Sequence, residues 1–124
     1  METSAFSISR TMMTGLTWIF AGAVLIQIFF AGLALFVNSS HWTYHEEFAN
    51  YLSFLPIIIF ALTFIGKHSR RLRLHTAALI GMIIVMVMTG VFSSQIGILS
   101  AFHPVIAVFL FYRSLVILRL IADQ

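Results

Sequence analysis

The chain contains no cysteine and only a few charged residues, and each shortage excludes a class of protein. Without thiols, its 124 residues form no disulfide, no thiolate metal site and no cysteine nucleophile. Charged residues make up 9% of the chain, and only four of them are acidic. There is no Ser–His–Asp constellation, phosphate-binding loop or pair of buried carboxylates, so we do not expect an enzyme. The positive charges form one short loop rather than a broad face, so we do not expect nucleic acid as a partner.

Apolar residues are abundant instead. Hydrophobic residues form 60% of the chain and its mean hydropathy is +1.03, far above the range of soluble proteins. A bilayer core of about 30 Å is crossed by about 20 helical residues. Four apolar segments are long enough, at 14–37, 44–66, 74–99 and 102–121, and only short connections separate them. The sequence therefore predicts an all-α protein, a single domain over 1–124 that forms an up-down four-helix bundle in the cell membrane.

The basic residues indicate how this bundle is oriented. Four of the seven lie in the stretch "KHSRRLR", residues 67–73, between the second and third segments. Arg10 precedes the first segment, and Arg113 and Arg119 lie in the last part of the fourth. The positive-inside rule then places both termini and the 67–73 loop in the cytoplasm. We expect Arg113 to extend to the inner headgroups, with a buried functional charge as the alternative.

The orientation sorts the five histidines by side. His68 and His75 fall on the cytoplasmic side. We expect His68 to be a solvated loop residue and His75 to lie near the headgroups at the start of the third segment. His41, His45 and His103 fall on the outer side. Of these, His45 and His103 are the candidates for function because both lie at the start of a predicted helix.

The stretch "TYHE" has the pattern of a capping box. Thr43 is predicted to accept the backbone N–H of Glu46, whose side chain reaches back to the N–H of Thr43. That cap starts the second helix at Tyr44 and places His45 in its first turn.

His103 precedes Pro104, which is welcome in the first turn of a helix and disfavours helical geometry in the residue before it. His103 is thus predicted to start the fourth helix, at nearly the same depth as His45. The second and fourth helices are diagonal partners in an up-down bundle, about 14 Å apart. Two imidazoles that reach inward from them leave room for one metal centre, and haem iron is commonly held by axial histidine.

Small residues surround this predicted haem site. Ala49 and Ala107 lie one turn deeper than His45 and His103, on the same helix faces, and would make room for a planar ring. The sides of the slot are predicted to be lined by small residues of the first and third helices: Ala31, Gly32 and Gly90.

Two glutamines are further candidates. Gln27 lies in the middle of the apolar first segment, where a polar side chain usually faces the bundle interior. It is predicted either to line the cofactor pocket or to hydrogen-bond the third helix. Gln95 lies near the outer end and is predicted to donate to an anionic group such as a haem propionate.

Other interpretations remain open. Histidine is common at membrane interfaces and small residues pack helices in any bundle, so His45 and His103 are alternatively an interfacial pair without a ligand. The chain is then a cofactor-free membrane interaction protein or accessory subunit. A zinc site built from His41, His45 and the adjacent Glu46 is a third possibility.

Three stretches, "QIFFAGLALF", "HEEFANYLSFLPIIIFAL" and "AFHPVIAVFLFYRSLVILR", resemble a family of small bacterial four-helix membrane proteins without an assigned function. The layout also resembles one half of haem A synthase, a membrane enzyme built from two four-helix bundles. In each half, histidines at the outer ends of the second and fourth helices form a haem-ligand pair, which implicates His45 and His103. The acids that follow His45, the absent cysteine pair and the single half argue against farnesyl-haem oxidation.

Together these features predict a small cytochrome b-like protein that binds one haem b near the outer leaflet, with the iron held by His45 and His103. The expected role is electron transfer, or haem holding or sensing. The expected partners are the lipid bilayer and a quinone or redox protein, and assembly into a homo-oligomer is left open.

Overall fold

The computed structural model describes residues 4–124, and within them the chain is helical without any strand. Six α-helices follow one another along the chain: α1 Ser4–Phe36, α2 Trp42–Leu52, α3 Leu55–Ile65, α4 Arg70–Val91, α5 Ser93–Ile96 and α6 Phe102–Ala122. A 3-10 turn at Ser39–His41 precedes α2, and another at Gly97–Ala101 precedes α6. The helices form four stretches that are long and apolar enough to cross a membrane: Ser4–Phe36, Ser39–Ile65, Arg70–Val91 and Ser93–Ala122. The predicted all-α four-helix bundle is therefore confirmed.

Two spans differ clearly from the predicted bounds. The first helix begins at Ser4 rather than at 14, because its polar first turns continue the same helix without a break. The third ends at Val91 rather than at 99. The chain turns there because Phe92 leaves helical geometry and Gly97 adopts a φ of +57°, a conformation that favours glycine.

One face of each long helix is turned toward the bundle interior. On α1 the interior residues recur every three or four positions, as a helix face requires: Ser9, Met13, Thr17, Phe20, Val24 and Gln27. On α6 the same spacing is kept by Ala107, Leu110, Ser114, Ile117 and Ile121. The outer faces carry large apolar side chains such as Trp18 and Phe29, which are 60% and 61% exposed. Apolar surface of this extent is unusual on a soluble monomer and is normal on a protein that faces lipid.

The four spans pack as a ring in chain order. α1 packs against α3 and α6, and α4 packs against the same two helices. Among the described residues, the diagonal pairs α1–α4 and α3–α6 make no comparable contact. The segment 67–73, whose last four residues form the first turn of α4, lies with Arg10 and Gln124 at one end, here called the basic end. The opposite end, formed by residues 38–45 and 92–103, is called the histidine end.

The second span is broken in its middle. α2 ends at Leu52 and α3 begins at Leu55, with Pro56 in the first turn of α3. Proline has no N–H to donate, and its ring clashes with the carbonyl four residues earlier, so a regular helix does not run through it. Ser53 Oγ also donates to the carbonyl of Ala49 at 2.7 Å, a contact that bends helices. As a result α3 packs against α1 and α4, whereas α2 packs against α1 and the 3-10 turn.

His68 ties the basic end together. It is 1% exposed, so the expectation of a solvated loop residue is wrong. Its Nε2 lies 2.8 Å from Ser9 Oγ and its Nδ1 lies 2.7 Å from Gln124 Oε1. Arg73 donates to the His68 carbonyl at 2.9 and 3.2 Å, and the Phe6 ring lies 4.6 Å from the imidazole. Burial of this polar ring is tolerated because both of its nitrogens are hydrogen-bonded.

Gly66 leaves the space that this cluster occupies. A Cβ at that position would collide with Ser9 Oγ and the His68 ring. We expect Gly66→Ala to lower the free energy of unfolding by about 1–3 kcal/mol, as overpacking does. Thermal unfolding in detergent, followed by circular dichroism, measures the loss. The matched control is Gly81→Ala, where a Cβ meets nothing within 4 Å and helix propensity favours alanine. Equal melting temperatures for the two variants would contradict the prediction.

Candidate functional site

His45 of α2 and His103 of α6 meet at the histidine end of the bundle. Their ring centroids are 6.1 Å apart and the ring planes are inclined by 53°. Both side chains are half-buried. Since α2 and α6 belong to diagonal spans, the two rings come together across the middle of the bundle. The structure thus brings together the two histidines that the sequence singles out.

His45 lies in the first turn of α2, but the helix starts differently from the prediction. The capping box of Thr43 and Glu46 is wrong, because α2 begins at Trp42 and makes no side-chain cap bond. A 3-10 turn leads into the helix instead, and Asn38 Oδ1 accepts a backbone N–H of that turn at 2.9 Å. With the chain already turning before Trp42, Thr43 lies inside the helix, where its hydroxyl is not a cap.

Gln27 holds His45 through two hydrogen bonds that run in opposite directions. His45 Nδ1 lies 3.0 Å from the backbone carbonyl of Gln27, and Gln27 Nε2 donates to the backbone carbonyl of His45 at 2.8 Å. Because a carbonyl only accepts, Nδ1 of His45 carries the hydrogen. The expectation that Gln27 bonds the third span, which is α4 in the structure, is wrong. At this level of the bundle α2 packs on α1. The two bonds orient the imidazole and position α2 on α1.

His103 is also oriented by a backbone carbonyl, in this case one of α4. α6 begins at Phe102, so His103 and Pro104 both lie in its first turn. His103 Nδ1 lies 3.0 Å from the backbone carbonyl of Met86 and 3.1 Å from Thr89 Oγ1. The carbonyl again requires that Nδ1 be the donor. Each histidine is therefore oriented by a backbone carbonyl of the neighbouring helix.

The Nε2 atoms of both rings are left without a partner. Among residues 4–124 neither Nε2 makes a hydrogen bond, and a neutral imidazole with hydrogen on Nδ1 has a free lone pair on Nε2. Metal-bound histidines have this arrangement, with the second ring N–H donating to a carbonyl or carboxylate. His75 is the opposite case. Arg113 donates to its Nδ1 at 2.9 Å, so that ring carries its hydrogen on Nε2.

The predicted small residues differ in how closely they approach the pair. A Cβ at Gly90 would lie 3.2 Å from His103 Cε1, so glycine is what permits this ring to lie against α4. Ala107 is 4% exposed, and Ala49 and Ala31 are half-buried. Gly90 thus has a direct steric role, whereas the three alanines contribute small volume near the rings.

Gln27 also leaves an acceptor without a donor. The residue is 8% exposed, and its Oε1 makes no hydrogen bond with any group of residues 4–124. Buried polar atoms without a partner are uncommon in native proteins. The same amide group donates to His45 through Nε2, so the unpaired oxygen lies beside the histidine pair. It is an acceptor that a bound ligand or a water can use.

An open surface pocket of about 330 Å³ lies at the histidine end, and neither His45 nor His103 lines it. It is lined by Met88, Thr89, Phe92, Gln95 and Ile96. Thr89 connects it to the pair through the contact with His103. Gln95 is exposed, and its Oε1 accepts the hydroxyl of Ser94 at 2.9 Å. Gln95 therefore belongs to the corner of α4 and α5 and not to the immediate surroundings of the rings.

The histidine pair does not extend to a larger set of metal ligands. In the described part of the chain, no group of three His, Cys, Asp or Glu side chains is arranged to hold a metal ion. The zinc site considered for His41, His45 and Glu46 is therefore not formed. The Nδ1 of His41 is buried and has no hydrogen-bond partner in the described part of the chain, and the ring packs against Tyr44 with centroids 5.5 Å apart.

Sequence reasoning missed the groups that orient the two histidines. The acceptors are backbone carbonyls of Gln27 and Met86, and no residue type marks a carbonyl in advance. Thr89 was missed as well. The sequence did carry a signal there, because Thr89 places a hydroxyl next to Gly90, and glycine lets a side chain of another helix approach closely.

A protein family described as a family of unknown function, DUF6220, matches residues 27–90. The match covers just over half of the 124 residues, from the second half of α1 to the end of α4. It includes Gln27, His45 and Gly90, and His103 lies beyond it. No curated protein and no solved structure matches the chain.

The hydrogen-bond pattern predicts which nitrogen of each ring is protonated. His45 and His103 should carry hydrogen on Nδ1 when neutral, whereas free imidazole side chains mostly carry it on Nε2. Nitrogen NMR of histidine-labelled protein in micelles at alkaline pH distinguishes the two tautomers. His75 is the internal control, since Arg113 requires the Nε2–H form there. An Nε2–H signal from His45 or His103 would show that the carbonyl contacts do not persist in solution.

Proposed function

We propose that this chain, which belongs to the DUF6220 family, is a small membrane protein that binds one haem b between His45 and His103. Its role is electron transfer, or haem holding or sensing. The observation that carries the proposal is the histidine pair itself: two rings from diagonal spans, each oriented through Nδ1 and each with Nε2 free.

The separation of the rings supports a single shared metal. A bond between a metal and an imidazole nitrogen measures about 2.0–2.1 Å, so one ion between two rings places their nitrogens about 4 Å apart. The centroids lie farther back than the nitrogens, and 6.1 Å between them is compatible with that arrangement.

The number of ligands favours haem over a bare ion. The described chain offers two histidines here and no third His, Cys, Asp or Glu in reach, whereas zinc sites take at least three protein ligands. A macrocycle brings four nitrogens of its own and needs only the two axial positions. When bound, haem iron supplies one-electron exchange, and axial ligation by two protein side chains is typical of electron-transfer cytochromes.

The surroundings of the pair also suit a flat apolar group. Gly90 and Ala107 keep bulk away from His103, and Ala49 does so one turn below His45. The break before Pro56 separates α2 from the packing that α3 makes with α4, and among the described residues α2 makes no extensive contact with α4. The macrocycle would be held through His45 and His103.

The proposal places the four spans in a cell membrane with the basic end in the cytoplasm. Mean hydropathy of the spans lies between 2.0 and 2.4, and their outer faces are apolar. The 67–73 loop, Arg10 and Arg119 all lie at or near the basic end, whereas the histidine end has no Lys or Arg. The positive-inside rule supports this orientation and puts the histidine pair near the outer leaflet.

The orientation is tested by labelling single cysteines, which is clean because the natural chain has none. Ser40→Cys lies at the histidine end and Ser7→Cys at the basic end, both at exposed positions. A membrane-impermeant maleimide should label Ser40→Cys in intact cells and Ser7→Cys only after lysis. The unmodified chain serves as the blank. The reverse pattern would overturn the orientation without affecting the bundle.

Haem binding is tested by the visible spectrum of protein purified in detergent from cells supplied with haem. We expect a Soret band and sharp α and β bands on reduction, because two axial histidines give six-coordinate iron. His45→Ala and His103→Ala should each lose these bands, since each removes one axial ligand.

The matched controls are His41→Ala and His75→Ala, which remove a histidine at the same end and at the other end and should keep the spectrum. Circular dichroism verifies that every variant is still helical. A colourless wild-type protein at full haem supply would contradict the proposal, and so would an unchanged spectrum in the folded His45→Ala or His103→Ala variant.

A further inference from the structure

Arg113 is a charged side chain inside a span, far from the histidine pair. It lies on α6 nine residues before the helix ends at Ala122, which corresponds to about 14 Å along the axis. Its side chain is half-buried. Arginine keeps its charge under all ordinary conditions, and charge at this position in a membrane is costly unless it is paired.

Within residues 4–124, no acidic side chain is paired with Arg113. Arg113 donates through NH1 to Nδ1 of His75, which is a neutral acceptor and does not cancel the charge. Among the described acids, Glu46 and Glu47 lie at the histidine end, and Asp123 follows the end of α6. A guanidinium has five N–H donors. Apart from the bond to His75, none of those of Arg113 is hydrogen-bonded within residues 4–124.

A second arginine, Arg71, lies on α4 close to His75. Arg71 is four residues before His75, so the two side chains share one face of α4, one turn apart. Arg71 is exposed and lies toward the basic end, and both arginines act electrostatically on the His75 ring. α4 and α6 pack directly against each other. Arg71, His75 and Arg113 therefore lie along one side of the contact between these helices, a surface called here the cationic groove.

The flanks of the cationic groove are apolar and exposed. Leu74 and Tyr112 are 59% and 62% exposed, and each is adjacent in sequence to a residue of the groove. An anion that binds here must therefore lie beside a surface that faces hydrocarbon. A phospholipid satisfies both conditions, because its phosphate pairs with guanidinium groups while its acyl chains cover the apolar flanks.

We propose that the cationic groove binds the phosphate of an anionic phospholipid, with Arg113 and Arg71 as the two charged contacts and His75 as the residue that positions Arg113. This site is separate from the histidine pair and does not depend on haem binding. Basic pockets between transmembrane helices are a recurrent way to hold anionic head groups.

The experiment is native mass spectrometry of the protein in a neutral detergent, titrated with phosphatidylglycerol, with phosphatidylcholine and with inorganic phosphate. Wild-type protein should retain one phosphatidylglycerol at least tenfold more tightly than phosphatidylcholine. Arg113→Gln should lose that preference. Arg119→Gln, on the same helix but exposed and outside the groove, is the matched control and should bind within twofold of wild type.

Arg71→Gln is an independent test of the proposal, because this exposed residue in the first turn of α4 can be replaced without disturbing the core. It should weaken phosphatidylglycerol at least threefold, whether or not Arg113→Gln folds. Binding of Arg71→Gln at the wild-type level would overturn the proposal. Equal losses in Arg113→Gln and Arg119→Gln would also overturn it, since they indicate general charge attraction. Saturable competition by millimolar inorganic phosphate would assign the groove to a free anion instead of a lipid.

Discussion

The backbone carbonyl is the acceptor on which the interior of this bundle depends. Buried hydroxyls bond to a carbonyl of their own helix, as Thr17 does to Met13 and Ser114 to Leu110. At the histidine end, His45 and His103 each use a carbonyl of a neighbouring helix. With only four acids in the chain, carbonyls are the only plentiful acceptors in a setting where water is scarce. The same bonds that satisfy the polar groups also decide which ring nitrogen is left for a ligand.

Most of the architecture could be predicted because it depends on local signals. Hydropathy alone marks four spans, and Pro104 marks the start of the last one. The pairing of His45 with His103 follows once both are assigned to helix starts at the same end. The ends of the spans were harder, since Gly97 acts through a backbone conformation that the apolar run around it conceals.

The wrong predictions concern tertiary contacts, which depend on which helices pack against each other. Gln27 was expected either to line the cofactor pocket or to hydrogen-bond the third span. The second alternative is wrong, because the break before Pro56 lets α2 pack on α1 and brings His45 to Gln27. His68 lies in a polar, basic loop and yet is buried, because Ser9 and Gln124 converge on it from two other segments. The "TYHE" pattern was misleading because Asn38, five residues before Thr43, already starts the turn. Haem itself and the resemblance to one half of haem A synthase stay predictions.

The Gln27–His45 bonds have a consequence for what each half of the chain contains. Both residues belong to the first two spans, so both partners of these bonds are synthesised before α4 and α6. The hairpin of α1, α2 and α3 therefore contains the groups that orient the His45 ring. His103 and its acceptor Met86 belong to the two later spans. Each half of the chain thus carries one histidine of the pair together with the carbonyl that orients it.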